Sequence, residues 1–166
     1  MMKHRKPNRL PDFDYSRPGF YFVTICTKNM REYFGSIYVN ELIPSAAGLV
    51  VDWHWRRILR HHKHVCLDVF QVMPNHIHGI IEIDEVHRSI FTRRQDMLIP
   101  QIISRFKMQT AKQIRAEINS EFQWQRSYYD HVIRSAESLE KIRAYILTNP
   151  ENWERDHNRI DDNPFS

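Results

Sequence analysis

The stretch Val72-Met73-Pro74-Asn75-His76-Ile77-His78-Gly79-Ile80-Ile81 decides how the rest of the chain is read. Pro74-Asn75 separates two apolar runs, Cys66 to Met73 and His76 to Ile83, which predicts an antiparallel hairpin. Side chains alternate faces along a strand, so His76 and His78 project to the same side. Their Cα atoms then lie about 6.5–7 Å apart, close enough for both imidazoles to meet one ion. Ile77, Ile81 and Ile83 point the other way, into a core.

Working outward, Gly19 to Thr27 is rich in β-branched and aromatic residues and apolar on both faces, which predicts a central strand. A short run from Phe34 to Val39 reads as an edge strand. Ser45 to His62 carries a wide apolar stripe at helical spacing, including Ala47, Val51, Trp55 and Ile58. Residues 84–99 are charged, lack periodicity and read as a mobile loop. Ile102, Phe106, Thr110, Ile114 and Ile118 mark a second amphipathic helix, and Gln125 to Arg134 a further strand. Ser135 is an N-cap for a last helix through Leu139, Ile142, Tyr145 and Ile146. The order β-α-β-β-α-β plus a final helix is an α+β, ferredoxin-like arrangement. Two helices cover one face of an antiparallel sheet, and the C-terminal helix is added to it.

The chain has 166 residues, 42% of them apolar and 12% aromatic, enough for one domain with a proper core. We read residues 1–18 as a basic, proline-punctuated arm, 19–153 as a single domain and 154–166 as a polar tail. The formal charge of +4, with ten histidines in reserve, favours a polyanionic partner without singling out nucleic acid. Cys26 and Cys66 lack metal spacing, fall in predicted strands and read as buried thiols of a reducing compartment. No run is long enough to span a membrane and no apolar leader is visible, so a soluble cytoplasmic protein is expected.

A His-x-His pair alone leaves two readings open, two buried histidines bonded to backbone or two ligands of a divalent ion that needs a third. Tyr145 and Asn149, four residues apart on the last helix, share one of its faces. They too have a plain reading, as a core aromatic and as a helix terminator before Pro150.

Pro74-Asn75-His76-Ile77-His78 resembles the His-hydrophobic-His signature of the HUH nucleases, and more specifically the single-tyrosine transposases of the insertion-sequence type. Further matching pieces are Tyr21-Phe22-Val23-Thr24, Arg31 with Phe34-Gly35, and Ser104-Arg105-Phe106-Lys107. Others are Trp124-Gln125-Arg126-Ser127-Tyr128-Tyr129-Asp130-His131 and Tyr145-Ile146-Leu147-Thr148-Asn149-Pro150. The resemblance runs from about Arg9 to Trp153. Mobile members usually carry Gln four residues after the tyrosine. Asn149 followed by Pro150 instead resembles the REP-associated tyrosine transposases, which are chromosomal relatives linked to repetitive palindromes.

The resemblance implies that Tyr145 is the nucleophile and that His76, His78 and Asn149 hold Mg²⁺ or Mn²⁺. The implied activity is endonuclease and strand transfer on single-stranded or hairpin DNA through a 5′-phosphotyrosine. It leaves monomer and homodimer both open. Two imidazoles and one oxygen donor leave positions on an ion for phosphate and water. Tyrosine attack stores the phosphodiester bond energy in the enzyme, so rejoining needs no ATP. The alternatives are a domesticated nucleic-acid-binding module that no longer cleaves and a metal-dependent hydrolase using water.

For DNA contacts the candidates are Lys3, Arg5, Lys6 and Arg9 of the arm, with Arg105, Lys107, Lys112 and Arg115 on the second helix and Arg126 after it. Tyr15, Phe91 and Tyr128 are candidates for stacking on unpaired bases. Tyr128 and Tyr129 are adjacent in a strand and face opposite ways. His61, His62 and His64 at the end of the first helix are assigned to solvent. Glu82 shares the histidine face and is a candidate to orient one of the ligands.

Overall fold

In the computed structural model, the described residues are Leu10, 12–84 and 93–153. The arm residues Lys3, Arg5, Lys6 and Arg9, the base-stacking candidate Phe91 and the tail 154–166 lie outside them.

Four strands make the main sheet: β1 (Gly19–Cys26), β4 (Val65–Met73), β5 (His76–Ile83) and β6 (Tyr129–Ile133). Their order is β4-β5-β1-β6, and each neighbouring pair is antiparallel. That is the ferredoxin-like sheet, with β1 central as its apolar residues on both faces require. Helices α1 (Ala46–Arg56) and α2 (Leu98–Glu117) cover one face. There Tyr21, Val23, Ile25, Ile77 and Ile81 meet Val51, Trp55, Ile103 and Phe106 in the main core. Helix α3 (Ala136–Thr148) lies on the other face, where Phe22, Ile80 and Ile133 meet Leu139, Ile142 and Ile146. The period-2 split of β5 thus sends Ile77, Gly79 and Ile81 to α1 and α2, and His76, His78 and Ile80 towards α3.

Trp55 explains why position 79 is glycine. Its ring stacks on Phe70 with centroids 4.6 Å apart and lies over Gly79. A Cβ at Gly79 would fall 2.3 Å from Trp55 Cζ2. Gly79→Ala should therefore lower the unfolding free energy by about 1–3 kcal/mol, the usual cost of overpacking. Denaturant melts read by fluorescence check this, and unchanged stability would contradict the packing.

Several sequence-based expectations need correction. The run near Phe34 does not edge the main sheet. It forms β2 (Gly35–Tyr38), which pairs only with β3 (Glu41–Pro44) in a separate hairpin. Its two-residue turn, Val39 and Asn40, has φ of 47° and 63°. Both positive angles fit a type I′ turn, but Val at the first position hid the hairpin because β-branched residues resist φ > 0. Helix α1 ends at Arg56 and tightens into a 3₁₀ turn at Arg57–Arg60, short of His62. Helix α2 begins at Leu98 rather than at Ile102, with Pro100 tolerated in its first turn, so the expected loop is shorter. Residues 85–92 of that loop lie outside the described residues. Strand β6 covers only Tyr129–Ile133, and Trp124 bridges Thr27 in isolation. Cys66 is exposed; only Cys26 is buried. Tyr15 is 1% exposed and packs in the main core, so it offers no surface to a base. Tyr128 is also buried there, while Tyr129 faces the α3 side. Among the described residues no helix is long and apolar enough to cross a membrane.

Candidate active site

Each functional candidate on β5 is held by a neighbour that the pairing register supplies. His76 and His78 are each 5% exposed, with Nε2 atoms 3.0 Å apart. Asn75 Oδ1 lies 2.7 Å from His76 Nδ1, and Asn75 Nδ2 donates to the Met30 carbonyl at 3.2 Å. That second bond fixes the amide's orientation, so its oxygen faces the ring and His76 Nδ1 carries the proton. His76 Nε2 is left with its lone pair, as a metal ligand requires. On β1, Thr24 is the register partner of His78, and its Oγ1 lies 2.8 Å from His78 Nδ1. A hydroxyl donates or accepts, so Thr24 serves either tautomer of His78.

Burial drives both imidazoles towards neutrality. It pulls His76 down to about 4 against a hydrogen bond with Asn149 that raises it. His78 falls well below its usual value through burial and then the neighbouring His76. Neutral rings offer lone pairs at neutral pH. Cys26 lies opposite His76 in the sheet, but burial pushes its thiol up to about 12, so it is no competing nucleophile.

Helix α3 brings the remaining candidates. Ser135 caps its N-terminus by accepting from Ser138 N. Tyr145 is half-buried, and its ring centroid lies 5.3 Å from that of His78. Phe22 sits against both rings, 5.5 Å from His78 and 6.3 Å from Tyr145. One turn on, Asn149 is 1% exposed and hydrogen-bonds His76. Its φ of −58° and ψ of −41° are helical. The α-helix does end here, with Asn149 as its C-cap before Pro150, although its backbone stays helical where proline normally turns the preceding residue away. The chain runs on into a 3₁₀ turn at Pro150–Asn152, and Trp153 beyond it stacks against His76 with centroids 6.1 Å apart.

An ionic clamp seats α3 on the sheet. Arg143 Nε lies 3.1 Å from both Asp68 carboxylate oxygens, and Nη2 lies 2.5 Å from Oδ2. Asp68 sits in the β4 irregularity between Leu67 and Phe70, and its Oδ1 accepts from Val69 N at 2.7 Å. The bulge re-aims the carboxylate towards the helix.

The structure therefore gathers Tyr145, His76, His78 and Asn149 on one face of the sheet. Two nitrogens bonded at right angles to one octahedral ion, at about 2.1 Å each, stand about 3 Å apart. The separation of the His76 and His78 Nε2 atoms matches that, and an amide oxygen suits a hard divalent cation. Arg105, Lys112 and Arg115 are exposed on α2, Lys107 is half-buried there, and Arg126 is exposed after Trp124. Helix α2 lies on the opposite sheet face, so its four basic residues are not at the histidines. His64 faces Asp84 at 3.9 Å, and His61 is exposed, away from any metal cluster. Glu82 does not orient a ligand. It stands four residues from His78, roughly 13 Å along the strand, and Thr24 already meets His78 Nδ1. Thr24, Asn75 and the Asp68–Arg143 pair were missed, although Thr24 does lie in one of the resembling stretches.

No protein-family model matches the chain. An uncharacterized protein of Haemophilus influenzae strain Rd is 35% identical over 170 aligned residues, spanning 95% of this chain and 94% of its own, and the two belong to one family. A second protein of that organism, "Putative REP-associated tyrosine transposase", is 24% identical over 144 residues, spanning 82% of this chain and 73% of its own. Among solved structures, a REP-associated tyrosine transposase bound to a REP hairpin matches with a TM-score of 0.60 at 17% identity, over 100% of this chain and 91% of that one. The fold is thus a transposase fold.

Proposed function

We propose that this chain, built on the fold of a REP-associated tyrosine transposase, cuts and rejoins one strand of hairpin-bearing DNA through Tyr145. The observation that carries this reading is the meeting of α3 with β5. Tyr145 lies 5.3 Å, ring to ring, from His78, and Asn149 at the C-cap of the same helix hydrogen-bonds His76. The Tyr145 oxygen attacks phosphorus, the bond from phosphorus to the 3′ oxygen breaks, and the 5′ phosphate stays on the phenol. The departing 3′ oxygen takes up a proton, while the phenol gives its own to water or hydroxide. A 3′-hydroxyl attacking the phosphotyrosine reverses these changes, with no ATP spent.

His76, His78 and Asn149 would hold Mg²⁺ or Mn²⁺, which supplies positive charge for the non-bridging phosphate oxygens. Asn75 keeps His76 in the tautomer that presents its Nε2 lone pair, and Thr24 meets the other ring. Phe22 walls the phenol. Because α3 packs on its own chain's sheet, the reading needs one chain only. Arg143 is its positioning residue. Arg143→Met keeps the aliphatic stem but loses the fork to Asp68, and should slow conjugate formation between about ten- and a hundredfold with DNA affinity unchanged, a cost typical of small misplacements. Arg143→Lys should not restore the rate, since an ammonium cannot form the fork. An unaltered rate would remove the clamp from the mechanism.

The REP hairpin bound by the transposase of like fold supports a hairpin substrate here. The test is incubation of labelled single-stranded hairpins with the protein and Mn²⁺ or Mg²⁺, followed by denaturing electrophoresis. A protein–DNA conjugate that chelator prevents is expected. Binding without conjugate would favour a module that only holds DNA. Turnover without conjugate would favour a hydrolase using water.

A further inference from the structure

Helix α2 places charge where the reaction above does not use it. Of its ionisable residues, Arg105, Lys107, Lys112 and Arg115 are basic, and Glu117 alone is acidic. At about 100° per residue, Arg105, Met108, Lys112 and Arg115 fall within one narrow arc, and Glu117 points well away. With the turn that follows, this face walls a trough of about 1010 Å³ lined by Met108, Lys112, Arg115, Gln123, Trp124 and Arg126, among others. Three hydrogen bonds from two side chains tie the helix to the turn that follows it. Arg115 Nε donates to the Phe122 carbonyl at 2.9 Å, and Lys107 Nζ donates to the carbonyls of Gln125 and Arg126 at 2.6 and 3.0 Å. Met108, 64% exposed, adds a polarizable apolar surface between the charges.

The trough is tied to the strand ends that carry the histidines. Gln125 N donates to Cys26 O at 2.8 Å, Trp124 bridges Thr27, and Thr27 N donates to Asn75 O at 2.9 Å. Cys26 is the register partner of His76. One strand spacing separates Gln125 from Cys26 and another separates Cys26 from His76, about 10 Å in all. We propose that this trough carries the single-stranded DNA flanking the cut, with Lys112, Arg115 and Arg126 on its phosphates and Lys107 serving to build the wall. A basic concavity of this size, with exposed apolar surface between charges, fits a single strand.

The inference rests on the proposed DNA chemistry, so its test is separated from cleavage. In the Tyr145→Phe background, fluorescence anisotropy measures binding of two labelled oligonucleotides, a bare hairpin and the same hairpin with a single-stranded extension of about ten nucleotides. Lys112→Glu with Arg126→Glu should weaken binding of the extended form at least tenfold and leave the bare hairpin within about twofold. The salt slope for the extended form should become shallower by about 1.4, two phosphates at about 0.7 each. The neutral pair Lys112→Gln with Arg126→Gln should lie between, and matched melting curves show that folding is intact. Equal loss on both oligonucleotides, no loss on either, or equally tight binding of a polyglutamate peptide would overturn the proposal. Trough-dependent binding with no conjugate from the parent protein would sink the nuclease reading alone. Conjugate formation with binding indifferent to Lys112 and Arg126 would sink the trough alone.

Discussion

Tyr145→Phe is expected to abolish the covalent protein–DNA conjugate, at least a thousandfold below the parent, while hairpin affinity stays within about twofold. The substitution removes one oxygen from a half-buried ring that rests against Phe22 and His78. Packing therefore survives, and so should the melting temperature. The size of the loss follows from chemistry. No other group on α3 stands in for a phenolic nucleophile, and a covalent route that loses its nucleophile leaves only binding and charge stabilisation. Tyr129→Phe is the control, because Tyr129 also approaches Phe22, with centroids 6.3 Å apart. It should leave the conjugate intact. A persistent conjugate in Tyr145→Phe would move the nucleophile elsewhere.

The second large effect belongs to the histidine pair. His76→Ala or His78→Ala should each lower conjugate formation by two to three orders of magnitude, with no rescue at raised Mn²⁺. Charge neutralisation of a phosphate is worth several kcal/mol, and each 1.36 kcal/mol is about tenfold in rate. Stability should move the other way from a simple loss of contacts. Burial disfavours the charged form of both rings, so acid stress on the folded state comes partly from having to keep them neutral. The sign is fixed. His76 binds a proton near 6.5 when unfolded and near 4 when folded. Stability is therefore lost as pH falls through that window, and His76→Ala should flatten that part of the pH–stability curve. Calorimetric titration with Mn²⁺ reads the binding half of the prediction. Parent-like binding by either variant would take the pair out of the metal site.

The histidine pair was legible because strand alternation is local: two residues apart means one face, whatever else the chain does. Tyr145 and Asn149 were legible for the same reason on a helix. The ferredoxin-like class followed from the alternation of elements along the chain. Partners set by non-local register were not legible. Thr24 meets His78 only because β1 pairs with β5 in one register of several that the apolar pattern allows. Asp68 reaches Arg143, 75 residues away, only through a bulge that hydropathy does not mark. Asn75 reads as a turn residue, and its hold on His76 depends on a Met30 carbonyl delivered by residues with left-handed backbone, Asn29 and Met30. The β2–β3 hairpin was hidden because Val39 occupies a position where turn chemistry calls for Asn or Gly. Tyr15 was misplaced by its basic neighbourhood, although its ring lies 5.0 Å from Phe13 in an aromatic cluster with Tyr21.

The most direct test is to digest the conjugate formed with a hairpin oligonucleotide and sequence the nucleotide-bearing peptide by mass spectrometry. The account predicts a single modified residue, Tyr145, linked to the 5′ phosphate of the downstream fragment, with a free 3′-hydroxyl on the upstream one. A 3′-linked product, or modification at any other residue, would contradict it.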